Sequence, residues 1–192
     1  ASAMAWALYW VHHLPEVHET LLQELGSLGS NPDPMTIARL PYLSAVCNET
    51  LRLYPVAMLT FSRVVNEPLA LLGHSLMPGL NIVGCIYLLH HREDLYPNSQ
   101  QFKPERFLER QFSPFEFMPF GGGARRCIGE ALALLEMKLV LATILSHYQL
   151  ALADRRPEVP RRRGVTLAPA RGVKIQILGQ RTPRPAQTVS QA

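Results

Sequence analysis

The chain has 192 residues, 47% of them hydrophobic and 18% charged, with sixteen prolines and a formal net charge of +4. It is long enough for one sizeable core and too apolar for a disordered chain, so one domain, or part of one, is expected. Three cysteines, Cys47, Cys85 and Cys127, fit neither a paired disulfide framework nor a zinc spacing, and they point to a reducing cytoplasm.

The run from Ala1 to Val11 is apolar with helical character, but it has neither a capping residue nor an initiating methionine, so it reads as a helix cut partway. It is too short to span a bilayer and lacks the basic flank of a signal peptide. Pro15 opens a second helix to about Leu28, with Val17, Leu21, Leu22 and Leu25 facing inward, and a loop follows over Gly26 to Pro34. A helix is predicted over Pro41–Leu53. Segments of β type are expected at Met58–Val65, Leu69–Leu71 and Asn81–Ile86, with turns at His74-Ser75 and Pro78-Gly79. Cys47 falls among apolar helical residues and Cys85 in the third strand-like segment, so both read as inert core thiols.

His90 to Pro119 is a long irregular connection, a feature rare in compact domains unless it is functional. Gly129–Tyr148 is helical and apolar nearly all round, which predicts a buried helix. The end of the chain suggests a hairpin of Val165–Ala168 and Val173–Ile177, turned at Pro169–Gly172. Residues 179–192 have the composition of a mobile tail. The basic run Arg155 to Arg163 is poor in aromatics and reads as a solvated loop, not a nucleic-acid site; a docking face for an acidic electron-donor protein is the weaker alternative.

The most informative segment is Phe120-Gly121-Gly122-Gly123-Ala124-Arg125-Arg126-Cys127-Ile128-Gly129. Arg125, Arg126 and the dipole of the helix that follows all favour the thiolate form of Cys127. A soft anionic sulfur in an apolar setting suits a heme iron, and the glycines let the backbone pass close to a flat ring. The pattern F-x-x-G-x-R-x-C-x-G matches at every fixed position and resembles the heme-binding loop of the cytochrome P-450 family, whose cysteine is the axial iron ligand. Two companions strengthen the resemblance. Glu49-Thr50-Leu51-Arg52 places a carboxylate and a guanidinium on one helical face, and Phe102-Lys103-Pro104-Glu105-Arg106-Phe107 resembles the family's P-E-R-F element. His91-Arg92-Glu93-Asp94, ahead of Tyr96-Pro97, looks like the family's H-R-D segment.

The resemblance implies a mainly α fold with a small β component, with residues 1–178 forming the C-terminal half of the cytochrome P-450 fold. It implies heme b (iron protoporphyrin IX) held by Cys127, with Phe120, Gly121 and Gly129 shaping the loop and Arg63 and Arg125 on the propionates. Arg106 would complete a structural triad with Glu49 and Arg52, and Ala57, Met58 and Leu59 would contact an apolar organic substrate. A ferredoxin or reductase would supply electrons for insertion of one oxygen atom of O2. The family's oxygen-activating residues would lie upstream of Ala1, so the chain alone is expected to be inactive as a monooxygenase. A noncatalytic heme-binding fragment, or a peroxygenase or isomerase using the same ligand, stays open as an alternative. A cysteine hydrolase pairing Cys127 with His147 is disfavoured, because nothing orients the histidine. The absence of H-E-x-x-H and C-x-x-C-H argues against a zinc enzyme and against a covalently attached c-type heme.

Overall fold

The apolar helix α1 (Ser2–His13) and the amphipathic helix α2 (Pro15–Gly26) open the chain, joined at the extended residue Leu14. Pro15 starts α2 because its missing N–H is not needed in the first turn. The computed structural model describes residues 1–29 and 31–181. The connection after α2 ends in a short helix, α3 (Pro34–Ala38), that the sequence pattern does not predict; Asp33 caps it by accepting the Thr36 N–H (3.0 Å). Helix α4 (Pro41–Leu53) begins against α2, whose Glu24 carboxylate accepts the N–H groups of Tyr42 (2.7 Å) and Leu43 (2.8 Å). Those amides have no intrahelical acceptor, and a carboxylate also suits the positive end of the helix dipole.

The middle of the chain carries two small antiparallel ribbons. Strand β1 (Arg63–Val64) pairs with β4 (Asn81–Ile82), and β2 (Leu69–Leu71) pairs with β3 (His74–Leu76). The turn expected at His74-Ser75 falls instead at Leu72-Gly73, whose φ angles of 51° and 80° demand the left-handed region. After β4 the chain does not continue as strand to residue 86. It enters helix α5 (Ile86–His90), and a short α6 (Arg106–Glu109) interrupts the irregular connection. Cys47 is buried as expected, whereas Cys85 is half-buried and stands at an isolated bridge to Leu59.

Helix α7 (Glu130–His147) packs against α1 to α4 and ties to α3 through Lys138, whose Nζ donates to the Ala38 carbonyl (2.8 Å). Its apolar composition predicts burial all round. In the fold only Met137, Leu141, Ala142 and Leu145 are buried, while Leu132 is 61% exposed. The reason is that the neighbouring helices cover one flank of α7, and composition does not say how many flanks have neighbours.

The C-terminal strands also depart from the expected hairpin. Strand β5 (Tyr148–Leu152) leaves α7 directly and pairs with β8 (Ile175–Gln180), while β6 (Pro160–Arg163) pairs with β7 (Thr166–Pro169). The arginine run expected as loop thus supplies a strand. Gly179 and Gln180 belong to β8, so regular structure passes the expected tail boundary; residues 182–192 lie outside the described residues.

One core joins α1, α2, α4 and α7, with Trp6, Val11, Leu21, Leu43, Val46 and Leu145 fully enclosed. Trp6 stacks on Tyr54 (ring centres 3.7 Å apart) and Trp10 on Phe102 (5.2 Å), so the aromatic end of α1 is clamped between the exit of α4 and the segment before α6. The architecture is mainly helical with small antiparallel sheets. Among the described residues no helix is long and apolar enough to cross a membrane.

Candidate functional site

The polar centre of the fold is a carboxylate gripped by two guanidinium groups. Arg52, one turn after Glu49 on α4, donates from Nε to Glu49 Oε2 (2.7 Å) and from Nη2 to Oε1 (2.8 Å). Arg106 on α6 donates from Nε to the same Oε1 (3.1 Å), and the Lys103 amide adds a fourth bond (2.9 Å). Glu49 and Arg52 are fully buried and Arg106 nearly so. Burying these charges is costly unless each is paired and its remaining protons find acceptors. Arg52 meets that demand through the carbonyls of His90 (Nη1, 2.7 Å) and Gln101 (Nη2, 3.2 Å), and Arg106 Nη1 through that of Pro97 (3.2 Å), while Arg106 Nη2 is left without a partner among the described residues. The structure therefore brings the three sequence-predicted residues together and uses them to pin the irregular connection to α4.

The H-R-D-like segment borders this centre but turns most of its side chains to the surface. Arg92 and Asp94 form an exposed ion pair, and the half-buried His91 stacks on Tyr87 of α5. The inward residue is His90, which is fully buried and bonded to both α4 and Met118. Adjacent histidines point apart, and nothing in the sequence says which of the two is enclosed.

The cysteine loop follows from Met118. Gly121 and Gly123 have φ angles of 75° and 65°, a region that costs other residues about 1–2 kcal/mol. These turns fold the loop back so that the Cys127 N–H donates to the Phe120 carbonyl (2.9 Å) and the Gly121 N–H to that of Met118 (2.9 Å). Phe120 is half-buried and packs on the core. Gly129 precedes α7, and a Cβ placed there would lie 3.8 Å from Cys127 Sγ, so the sulfur sits over bare backbone at the helix entrance. Cys127 itself is exposed, beside the fully exposed Ile128 and the open flank of α7.

The two loop arginines have different partners. Arg126 is committed to Glu130 (2.5 and 2.6 Å), whereas Arg125 and Arg63, both exposed, make no ion pair among the described residues. In the fold Glu130 offsets one of the two positive charges that precede Cys127 in the loop.

The segment after α4 is held at its bridge positions: Ala57 against Thr166 of β7, and Leu59 against Cys85. Ala57 and Leu59 are exposed, while Met58 is more covered and its carbonyl accepts the Tyr87 N–H (3.2 Å), which separates it from the other two candidate contacts. The Leu167 N–H donates to the Val56 carbonyl (3.1 Å), so the β6–β7 ribbon lies alongside this segment. Because Thr166 is the register partner of both Ala57 and Arg163, their side chains share a face. Sequence reasoning misses Thr166 and Arg163. The alternation of Val165 and Thr166 beside a turn glycine is the available signal, and it fits a different hairpin equally well.

Residues 1–176 match the family described as Cytochrome P450. The chain is similar to "Cytochrome P450 4V2" of Homo sapiens, 34% identical over 184 residues that make up 92% of this chain and 35% of the relative. It is similar to "Sterol 26-hydroxylase, mitochondrial" of Mus musculus, 33% identical over 189 residues, 93% of this chain and 35% of the relative. It is 34% identical over 192 residues to "Putative cytochrome P450 135B1" of Mycobacterium tuberculosis (strain ATCC 25618 / H37Rv), covering 100% of this chain and 39% of the relative. The chain thus spans little more than a third of the length of these curated relatives. With the cysteine loop, the buried carboxylate between two arginines and a family match running nearly from end to end, the chain belongs to the cytochrome P450 family.

Proposed function

We propose that this chain is the heme-thiolate portion of a monooxygenase, with Cys127 as the ligand of iron. The single observation carrying this is the loop geometry: an exposed sulfur over bare backbone at Gly129, reached through two left-handed glycines, at the entrance of an 18-residue helix. The residues present fit heme b. A soft thiolate donor suits its iron, the flanking surface of Ile128 and Leu132 is apolar, and Arg125 and Arg63 are cations without carboxylate partners among the described residues. When bound, heme would supply dioxygen binding and transfer of one oxygen atom to an apolar carbon.

The chain's own residues would do the rest by position and charge. Arg125 and Arg63 would pair with the two propionates as charge-assisted hydrogen-bond donors. Phe120, Gly121 and Gly129 would set the position of the Cys127 sulfur. Glu49, Arg52 and Arg106 would hold the irregular connection in place without touching the reacting atoms. Ala57 and Leu59 would offer apolar contacts to a small organic substrate, with electrons delivered by a ferredoxin or reductase in the reducing cytoplasm. Residues 1–178 would form the heme-binding portion of one domain.

The test is the reduced carbon monoxide difference spectrum of the chain supplied with heme. A red-shifted Soret band that disappears in Cys127→Ala supports the reading. A band unaltered by that substitution would sink it.

A further inference from the structure

We infer that His90 is a positioning residue for the cysteine loop, carrying the placement of α4 across to the backbone that enters the loop. The inference rests on the heme-thiolate reading for its purpose, but its geometry stands independently. His90 ends α5 and has no exposure to solvent. Its Nδ1 lies 3.2 Å from the Arg52 carbonyl, one of the unsatisfied carbonyls at the C-terminus of α4, and its Nε2 lies 3.0 Å from the Met118 N–H. A carbonyl only accepts and an amide only donates, so these two partners fix the tautomer: Nδ1 carries the proton and Nε2 receives one. The Arg52 Nη1 returns a bond to the His90 carbonyl (2.7 Å), so backbone and side chain lock reciprocally.

Beyond Met118 the same chain of bonds continues. The Met118 carbonyl accepts from Gly121, and the Phe120 carbonyl accepts from Cys127. A path of hydrogen bonds linked by short stretches of chain thus runs from the Glu49–Arg52 pair through the His90 ring to the Cys127 amide. The ring is held in plane by Phe117 (ring centres 5.4 Å apart) and edge-on by Tyr96 (6.1 Å). Burial, reinforced by the Arg52 charge, pushes the imidazole down to about 3, so it stays neutral and Nε2 stays an acceptor across the ordinary pH range. Neither a lysine nor an aliphatic residue could accept from one backbone group while donating to another. Gln can, because its amide carries a donor and an acceptor on one carbon, as the imidazole does.

The experiment compares the 192-residue chain with its His90→Leu and His90→Gln variants. Amide hydrogen exchange is read at Met118 and, as a control, at Tyr54, whose N–H donates to Thr50 at the end of the same helix. In His90→Leu the Met118 amide should exchange at least about tenfold faster than in the parent chain while Tyr54 changes far less, and His90→Gln should restore most of the protection. With heme supplied, the fraction of the carbon monoxide band in the thiolate position should fall in the same order. Equal acceleration at Met118 and Tyr54, or a Gln variant no better than Leu, would overturn the inference, since a merely structural residue moves both amides together. If His90→Leu fails to fold, nitrogen NMR of the parent decides: a protonated Nδ1 with Nε2 bonded to the Met118 N–H supports the role, and the opposite tautomer overturns it. Loss of the thiolate band in every form, parent included, would count against the heme reading alone and leave the exchange result to decide for His90.

Discussion

Replacing Glu49 by Gln tests the polar centre most directly, because the side chain keeps its shape and loses only its charge. Glu49 accepts four hydrogen bonds, three of them on Oε1, and among the described residues it is the one carboxylate bonded to both Arg52 and Arg106. Neutralising it leaves two guanidinium groups facing each other out of water. Breaking a buried pair in this way costs about 3–5 kcal/mol, since the remaining charge is uncompensated. The Gln amide also turns one acceptor into a donor, which would point at an N–H. Against a typical total stability of about 5–15 kcal/mol, the loss is a large fraction of the whole. With a urea slope of about 2 kcal/mol per molar, the unfolding midpoint should fall by about 2 M. The comparison is Asp94→Asn, which removes an exposed ion pair with Arg92 and should cost no more than about 1 kcal/mol. A second arm, Arg106→Met in the Glu49→Gln background, should recover part of the loss by removing the surplus cation. If Glu49→Gln shifts the midpoint no further than Asp94→Asn, the buried triad does not organise this fold and the reasoning is refuted.

Acid should destabilise the chain well before the carboxylates titrate. His90 is pushed down to about 3 and His18 to about 4, both chiefly by burial, so the unfolded chain binds protons that the folded chain does not. Stability is whole above about pH 6.5 and declines as pH falls toward these values, by about 1.4 kcal/mol per pH unit for the enclosed His90 and by less for the half-buried His18, which solvent screens; urea midpoints measured between about pH 7 and 4 should drop steadily, and a flat profile would contradict the burial of His90. Gly121→Ala should cost about 1–2 kcal/mol through backbone strain alone, because a Cβ there has no atom nearer than the Arg125 carbonyl oxygen at 4.0 Å; equal stability by thermal unfolding would show that the loop relaxes freely. Arg125→Ala should weaken heme retention while Arg126→Ala leaves it nearly unchanged, since Arg126 is already committed to Glu130; heme transfer to apomyoglobin measures both, and the reverse order would falsify the assignment of Arg125 to a propionate.

Much of the helical framework is legible in the sequence. The limits of α4 coincide with the predicted Pro41–Leu53, and α1, α2 and α7 end within a residue or two of expectation, because Pro at a first turn and a sustained helical period are local signals. The residues of the triad are also nameable from their motifs. What local signals do not supply is partnership. Strand β8 pairs with β5 across the length of the basic ribbon, not with the neighbouring β7, since strand pairing is settled by which edges the packed helices leave adjacent. The same holds for charge and burial: Arg126 and Arg125 are identical neighbours until Glu130, one helical turn on, takes one of them. His90 and His91 differ only in that the end of α5 turns one toward α4 and the other back along its own helix to the Tyr87 carbonyl. Sequence by itself determined the helices, the thiol and the charges to be matched, because these follow from residue type and short-range spacing. Tertiary structure decided which groups meet, because the free energy of a buried polar contact depends on partners tens of residues away that no local pattern encodes.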